Sequence, residues 1–437
     1  MPEYWEKDFV GWVFQKRCLA AFLLAVSGIT VVHAQPWVEP GNLFLRADIQ
    51  TLSDAGVIRG PVQTWPLSWG DISADLDRAQ ANGLDESAIQ ALARVRAQAR
   101  EAMDSDYLRV DVRAAAAITP RVLRTFENTP REQGELELSL GWTGDRFSFK
   151  ANAIGVADAS DGESFRLDGS YAGMALGNWM LSAGFQERWW GPGWEGSQIL
   201  GTNARSFPHA AIQRNRSTPF ESKWLSWIGP WSLTGFIGVL DDEREINNAQ
   251  MFGLRASFRP DPWGIQGLEI GLSRTAQLCG EGRPCGFDTY MNMLLGRDNR
   301  GANVDPMDEP GNQLGAIDAR WASPIGHLPY ALYMQWGAED GRPGPSPLGD
   351  FLRQVGAETW GGIAGTDWTH RTHLELSQTN CSQGGIGGSG ADWNCAYNHP
   401  IYKTGYRYQG RVMGNGIDND GLSYSVGSTL SGTGNGS

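Results

Sequence analysis

The 437 residues carry a formal net charge of −13, and no basic patch or stripe is present to grip nucleic acid. Beyond the first 34 residues, no stretch approaches the roughly 18 consecutive apolar residues that a membrane-spanning helix needs. A closed β-barrel is then the only membrane-spanning form open to the chain, and its 57 glycines and 19 tryptophans suit tight curvature and the membrane–water boundary.

In chain order, Lys16 and Arg17 precede an apolar run from Cys18 to Val32. Val32-His33-Ala34 then forms a small-residue cleavage pattern. Residues 1–34 therefore read as a signal peptide, with an uncleaved anchor as the alternative. Cys18 opens the apolar run rather than following it, which argues against a lipoprotein site.

Residues 35–106 follow helix grammar. Asn42 is placed to cap a helix with Leu45, Ile49 and Leu52 on one face, closed by Gly56. Ser68 with Asp71 resembles a capping box ahead of Ile72 and Leu76. Asp85 is placed to cap a third helix, with Leu84 and Ile89 as a staple. Its stripe of Ala88, Leu92, Val95, Ala99 and Ala102 lies opposite Arg94, Gln98 and Arg100. Three such helices bury too little alone, so a bundle docked on the periplasmic end of a barrel is expected.

From 107 to 437 the pattern changes to period two. Leu136, Leu138, Leu140 and Trp142 alternate with Glu135, Glu137, Ser139 and Gly141. Trp231 to Val239, Tyr330 to Trp336 and Arg371 to Ser377 repeat the pattern. Roughly sixteen candidate strands fit at about 20 residues each, the last around Leu422–Leu430. No short fixed repeat supports a β-helix, and no linker divides the region into sandwich domains. The expected fold is mainly β, a transmembrane antiparallel barrel with a small N-terminal helical bundle.

Once Cys18 leaves with the leader, four cysteines remain in two close pairs, Cys279 with Cys285 and Cys381 with Cys395, each in a Gly/Pro/Asn-rich segment. Loop-closing disulfides are the simplest reading, contributing roughly 2 to 3 kcal/mol each in the chain-entropy account. Neither pair has the C-x₂-C spacing of a zinc site.

The densest cluster of unusual residues runs from Gln186 to Arg214. Trp189, Trp190 and Trp194 surround Gly191-Pro192-Gly193 and are flanked by Glu187, Arg188 and Glu195, with Arg205 nearby. Aromatic faces stack on sugar C–H surfaces, while carboxylates and guanidinium groups bond hydroxyls, so the chemistry suits carbohydrate. The plainer reading is an interfacial aromatic girdle with an ion pair in the lumen.

This stretch resembles the capsule assembly Wzi family of outer-membrane proteins. So does Trp65-Pro66-Leu67, which follows Asp54-Ala55-Gly56-Val57-Ile58. Gly296-Arg297-Asp298-Asn299, Gly311-Asn312-Gln313-Leu314 and Asp318-Ala319-Arg320-Trp321 look like later family motifs. The resemblance covers most of residues 40–430. It implies an eighteen-stranded barrel with a periplasmic bundle, and a lectin-like role in attaching capsular or exopolysaccharide at the cell surface. It implies no catalysis. The expected partners are that polysaccharide, outer-membrane lipid and polysaccharide export machinery, with no nucleic acid, no cofactor and a monomeric state. Glu187, Arg188, Trp190, Trp194 and Arg205 are the expected polysaccharide-handling residues, by direct contact or by shaping the surface. The family pattern calls for about two further strands, whereas this chain stops at Gly432-Thr433-Gly434-Asn435-Gly436-Ser437. A truncated barrel, or one closed differently, is therefore expected, because open edges in lipid are costly.

Enzyme motifs are absent: there is no G-x-S-x-G, H-E-x-x-H or P-loop. Carboxylates are too plentiful for the sequence to single out a glycosidase pair. His370 and His373 fall on opposite faces of a strand, and Asp418-Asn419-Asp420-Gly421 reads as a hairpin turn before a calcium loop. The glycines from Gly384 to Gly390 read as a surface loop. A diffusion porin or saccharide channel is the competing function. The lumen discriminates the two, open in a channel and filled in an anchor.

Overall fold

The computed structural model describes residues 37–105, 107–260, 267–295, 311–323, 325, 328–339, 351–381 and 394–432. The expected signal peptide, Gly296–Asn299 and Gly384–Gly390 lie outside them. Three helices come first: α1 (Leu43–Asp54), α2 (Trp69–Leu76) and α3 (Glu86–Met103). All three expected caps are present. Asn42, Ser68 and Asp85 accept from the backbone N–H of Leu45, Asp71 and Ala88 at 3.0, 3.4 and 2.8 Å. Gly56, at φ +73°, follows α1 in the left-handed conformation that ends helices. One expectation for α3 fails. Ile89 is exposed, while Leu84 packs into the helical core without it. Arg94, off the apolar stripe as expected, pairs with Asp48 of α1 at 2.7 Å, because α3 lies against α1 on that flank.

Fourteen strands follow in one antiparallel ladder: β1 (Arg109–Ala116), β2 (Gly134–Thr143), β3 (Phe147–Ala157), β4 (Tyr171–Leu176), β5 (Trp179–Gly184), β6 (His209–Arg214), β7 (Trp231–Leu240), β8 (Ala249–Phe258), β9 (Leu268–Leu278), β10 (Gly311–Ala322), β11 (Tyr330–Glu339), β12 (Phe351–Gly362), β13 (Trp368–Gln378) and β14 (Leu422–Gly432). A two-residue side strand, Phe165–Arg166, pairs with β3. Each strand pairs with the next in sequence, as in a meander. Among the described residues no ladder joins β1 to β14. Among the described residues the main sheet thus holds fourteen strands and one side strand, against roughly sixteen expected, and separate two-residue ladders lie off it, such as Trp189–Trp190 with Thr64–Trp65.

Burial on the sheet is inverted relative to a water-soluble protein. Leu136, Leu138, Leu272, Leu332, Leu374 and Val426 are exposed, while Arg255, Gln277, Gln335, Gln354, Glu358 and Glu375 are buried. An apolar outer face with a polar inner face is the pattern of a barrel in lipid. The sheet curls, because side chains from strands as far apart as β6, β9, β11 and β13 reach inner segments that are linked to one another. Gln213 meets Trp37, Glu269 meets Gln63, Gln335 meets Gln198 and Glu375 meets Trp194.

At one end the connections are mostly short: 144–146, 177–178, 259–267, 323–329 and 363–367. The helices dock there. Asp54, at the end of α1, receives Arg320 of β10 at 2.6 Å and Arg371 of β13 at 2.8 Å. Both arginines also pair with Glu358 of β12. Glu269 accepts the backbone N–H groups of Val62 and Gln63 at 3.0 and 2.9 Å. The long connections, 279–310, 379–421 and 185–208, leave from the opposite end. They carry both disulfides, Cys279–Cys285 and Cys381–Cys395.

The Asp54 network balances two guanidinium groups against two carboxylates, all nearly dry. Removing one partner strands a buried charge, which costs about 3–5 kcal/mol. Asp54→Ala should therefore lower the urea midpoint of the folded protein clearly. Arg59→Ala removes a side chain that is 57% exposed beside Asp75, and should cost less than about 1 kcal/mol. Equal midpoints for the two variants would contradict this assignment of the docking energy.

Candidate functional site

Segment 185–208 joins β5 to β6. Rather than standing outside as a loop, it turns back into the lumen, where strand side chains hold its backbone. Trp194 and Gly196 donate their N–H groups to Glu375 at 2.7 and 3.0 Å, and Gln198 donates to Gln335 at 2.7 Å. The amides of Gln335 and Gln354 donate in return to the carbonyls of Trp190 and Gly196 at 2.8 and 2.9 Å. Arg46 of α1 donates to the carbonyls of Pro192 and Gly193 at 2.9 and 2.7 Å. Its guanidinium also lies 4.2 Å from the Trp194 ring. Only glycine fits at 193, where a Cβ would come within 2.2 Å of the Gly196 carbonyl.

The tryptophans are consequently interior. Trp189, Trp190 and Trp194 are 1%, 0% and 2% exposed. Trp189 packs edge-on against Phe126, and Trp194 stacks on His373 at 5.5 Å and 11°. Neither Trp190 nor Trp194 presents a free face on which a sugar could stack, and none of the three belongs to an interfacial girdle. His373 faces the lumen and meets Glu195 at 2.8 Å. His370 lies on the other face of β13.

The charged members of the cluster diverge. Arg205 pairs with Asp168, Asp161 and Glu163 at 2.9, 2.8 and 2.7 Å. Burial alone would lower its guanidinium, but these carboxylates outweigh it and hold the group above its ordinary range. Glu187 pairs with Arg131 at 2.9 Å, and Arg131 also binds the carbonyls of Thr202, Asn203 and Ala204. Among the described residues Arg188 meets only neutral groups: His209 Nε2 at 3.1 Å, Gln186 at 3.4 Å and Thr234 at 3.5 Å. Burial pushes its guanidinium down to about 9.

Two cavities flank these residues. One, of about 350 Å³, is lined by Gln186, Glu187, Arg188, Arg205, Ser206 and His209 among others. The second, of about 620 Å³, lies against the inner face of β2 and β3, with Arg131, Glu137, Lys150, Arg166, Asp168 and again Glu187 in its wall. Glu187 belongs to both, so the cavities adjoin. Their walls interleave carboxylates, guanidinium groups, amides and hydroxyls, which can bond a row of sugar hydroxyls. Among the described residues no group of His, Cys, Asp or Glu is arranged to hold a metal. Asp418 and Asp420 instead engage Arg407 and the Asn394 N–H, in a turn that leads into β14 without forming a two-strand hairpin.

The sequence profile of the capsule assembly protein Wzi family matches residues 104–431. The chain belongs to that family. It is 32% identical over 341 residues to an uncharacterized 55.8 kDa protein in the cps region of Klebsiella pneumoniae, covering 76% of this chain and 65% of that protein's length. It also superposes, with a TM-score of 0.75 and 28% identity, on Wzi of Escherichia coli, described as a carbohydrate-binding β-barrel of the outer membrane involved in group 1 capsule assembly. That match covers 91% of this chain and 82% of the other. This Wzi-family chain is thus an outer-membrane β-barrel.

Several cavity residues escaped the sequence reading. Thr234, a partner of Arg188 and not part of either cavity wall, was legible only as an inward position between Leu233 and Gly235. Arg131, Ser206 and His209 carried no local signal, because nothing in the chain says which inward residues will meet.

The packing sets an expectation for substitutions in this segment. Trp194→Ala removes a buried indole between Arg46 and His373, which should cost about 3–5 kcal/mol. Arg205→Ala leaves three carboxylates facing one another. Both should reduce folded protein in the outer membrane. Glu187→Gln, whose side chain is 21% exposed, should leave that level unchanged. Heat-modifiable mobility of membrane fractions would check all three, and normal folded levels of Trp194→Ala would refute the structural role.

Proposed function

We propose that this Wzi-family barrel binds capsular or exopolysaccharide at its long-connection end and helps attach or assemble it at the cell surface. The observation that carries the reading is a pair of adjoining cavities with polar walls of mixed charge, beside a lumen filled by the chain's own inward segment. Carbohydrate sites need many directional donors and acceptors, and a filled lumen positions them rigidly. The carbohydrate binding stated for E. coli Wzi supports the same assignment.

On this reading, Trp190, Trp194 and Arg205 hold the wall of the site in shape, while Glu187 and Arg188 face the space the polymer enters. Residues 35–106 form the periplasmic bundle and 107–437 the barrel, because outer-membrane barrels keep their short turns on the periplasmic side. The protein acts as a monomer in outer-membrane lipid, receiving polymer delivered by export machinery, and it binds without catalysing a reaction.

A deletion strain should shed polymer into the medium, and the wild-type gene should restore retention. Glu187→Gln, which neutralises the carboxylate shared by both cavity walls, should restore folded protein but not retention. Purified protein in planar bilayers should give no steady conductance, since segment 185–208 occupies the lumen. Full retention in the Glu187 variant would overturn the site. Stable channels with ohmic conductance would favour a saccharide porin.

A further inference from the structure

We infer that the smaller cavity is a subsite for one anionic substituent of the polysaccharide, with Arg188 as the residue that recognises it. The inference rests on the carbohydrate-binding reading above and names the chemistry of the sugar.

Arg188 is an exception among the buried arginines of this barrel. Arg255 has Asp318 at 2.5 Å, Arg166 has Glu132 and Asp161, and Arg320 and Arg371 share Asp54 and Glu358. Arg46 and Arg124 lack a close carboxylate but each donates to two backbone carbonyls. Arg188, 5% exposed, has two contacts at 3.4 Å or longer and a third to His209. Nδ1 of His209 lies 2.9 Å from the Phe207 carbonyl, which can only accept. Its Nε2 therefore carries the lone pair that accepts from Arg188. The face of Phe236, 5.2 Å away, adds a cation–π contact but no counter-charge.

A buried cation with only neutral partners is costly, because desolvation is not offset by an ion pair. The same cavity holds two more unsatisfied groups. Among the described residues Nε2 of Gln186 and Oγ of Ser206 have no hydrogen-bond partner, nor does Nε of Arg188, and all three residues line the one space. A guanidinium edge, an amide N–H and a hydroxyl match an oxyanion, since guanidinium binds carboxylates and related oxyanions through paired N–H groups. Glu187 in the same wall opposes a second negative charge, which points to a singly charged group. A uronate carboxylate, a sulfate ester and a phosphodiester share that chemistry. The free space between these side chains is close to the size of a water molecule, so the site takes the oxyanion group itself and leaves the sugar ring outside.

The test uses the full-length protein in detergent and the polysaccharide purified from the surface of the cells that carry it. The polymer is compared native, after carbodiimide–borohydride reduction of its carboxyls, and after removal of sulfate and phosphate esters. Wild type should bind the native polymer and lose about tenfold or more in affinity for one neutralised form, the scale of a hydrogen-bonded charge. Carboxyl reduction having that effect assigns a uronate, and ester removal having it assigns a sulfate or phosphate. Arg188→Gln should bind the native polymer as weakly as wild type binds the neutralised one, and be indifferent to neutralisation. Arg188→Lys, which keeps the charge without the fork, should fall between and covers the case where Arg188→Gln fails to fold. Equal wild-type affinity for all three polymers overturns the anionic subsite while leaving carbohydrate binding intact. Undiminished affinity in the Lys variant overturns the role of the guanidinium fork. No binding of the native polymer overturns the proposed function itself.

Discussion

The structure depends on satisfying the polar interior of a wide barrel. A curled sheet of this many strands encloses more space than its inward side chains can fill, and those side chains are polar because the outer face must meet lipid. The chain resolves both problems with one segment. Residues 189–198 enter the lumen, and Glu375, Gln335 and Gln354 bond their backbone N–H and carbonyl groups. The plug thus serves the strands as a hydrogen-bond partner, and the strands serve the plug as secondary structure would.

That arrangement explains why tryptophan, glycine and proline crowd into so short a stretch. A backbone held by side chains on several strands must follow one path, so glycine stands where a Cβ would strike a carbonyl, as at 193. Indoles fill the volume that remains between the plug and the helices. The helical block completes the closure at the short-turn end, where Asp54, Arg320, Arg371 and Glu358 neutralise one another. Unpaired buried groups then stand out. Among the described residues, lumen arginines such as Arg255, Arg320 and Arg371 pair with carboxylates, whereas Arg188 faces a cavity with neutral partners.

The tryptophan cluster is therefore not packed as its composition first indicates. Exposed tryptophans beside carboxylates would make a sugar platform, but buried ones make a scaffold. The hydroxyl-binding capacity passes to the neighbours of the plug, Glu187, Arg131 and the walls of β2 and β3, none of which is aromatic.

Local rules determined a good deal by themselves. Period-two alternation set the strands and their lipid-facing sides, as with Leu136–Leu138 and Leu332–Trp336. Asn42, Ser68 and Asp85 marked the helix starts, because a cap bonds an amide three residues away and needs nothing from the rest of the chain. Cysteine spacing anticipated both disulfides for the same reason of short reach. Only the tertiary structure decided that Trp190 and Trp194 point into the core, that Arg94 pairs with Asp48, and that Arg205 is matched by carboxylates while Arg188 is not. Those outcomes depend on which inward positions of distant strands and inner segments converge in the lumen. Alternation states that a residue faces inward, but convergence is a property of how the whole sheet curls around its plug.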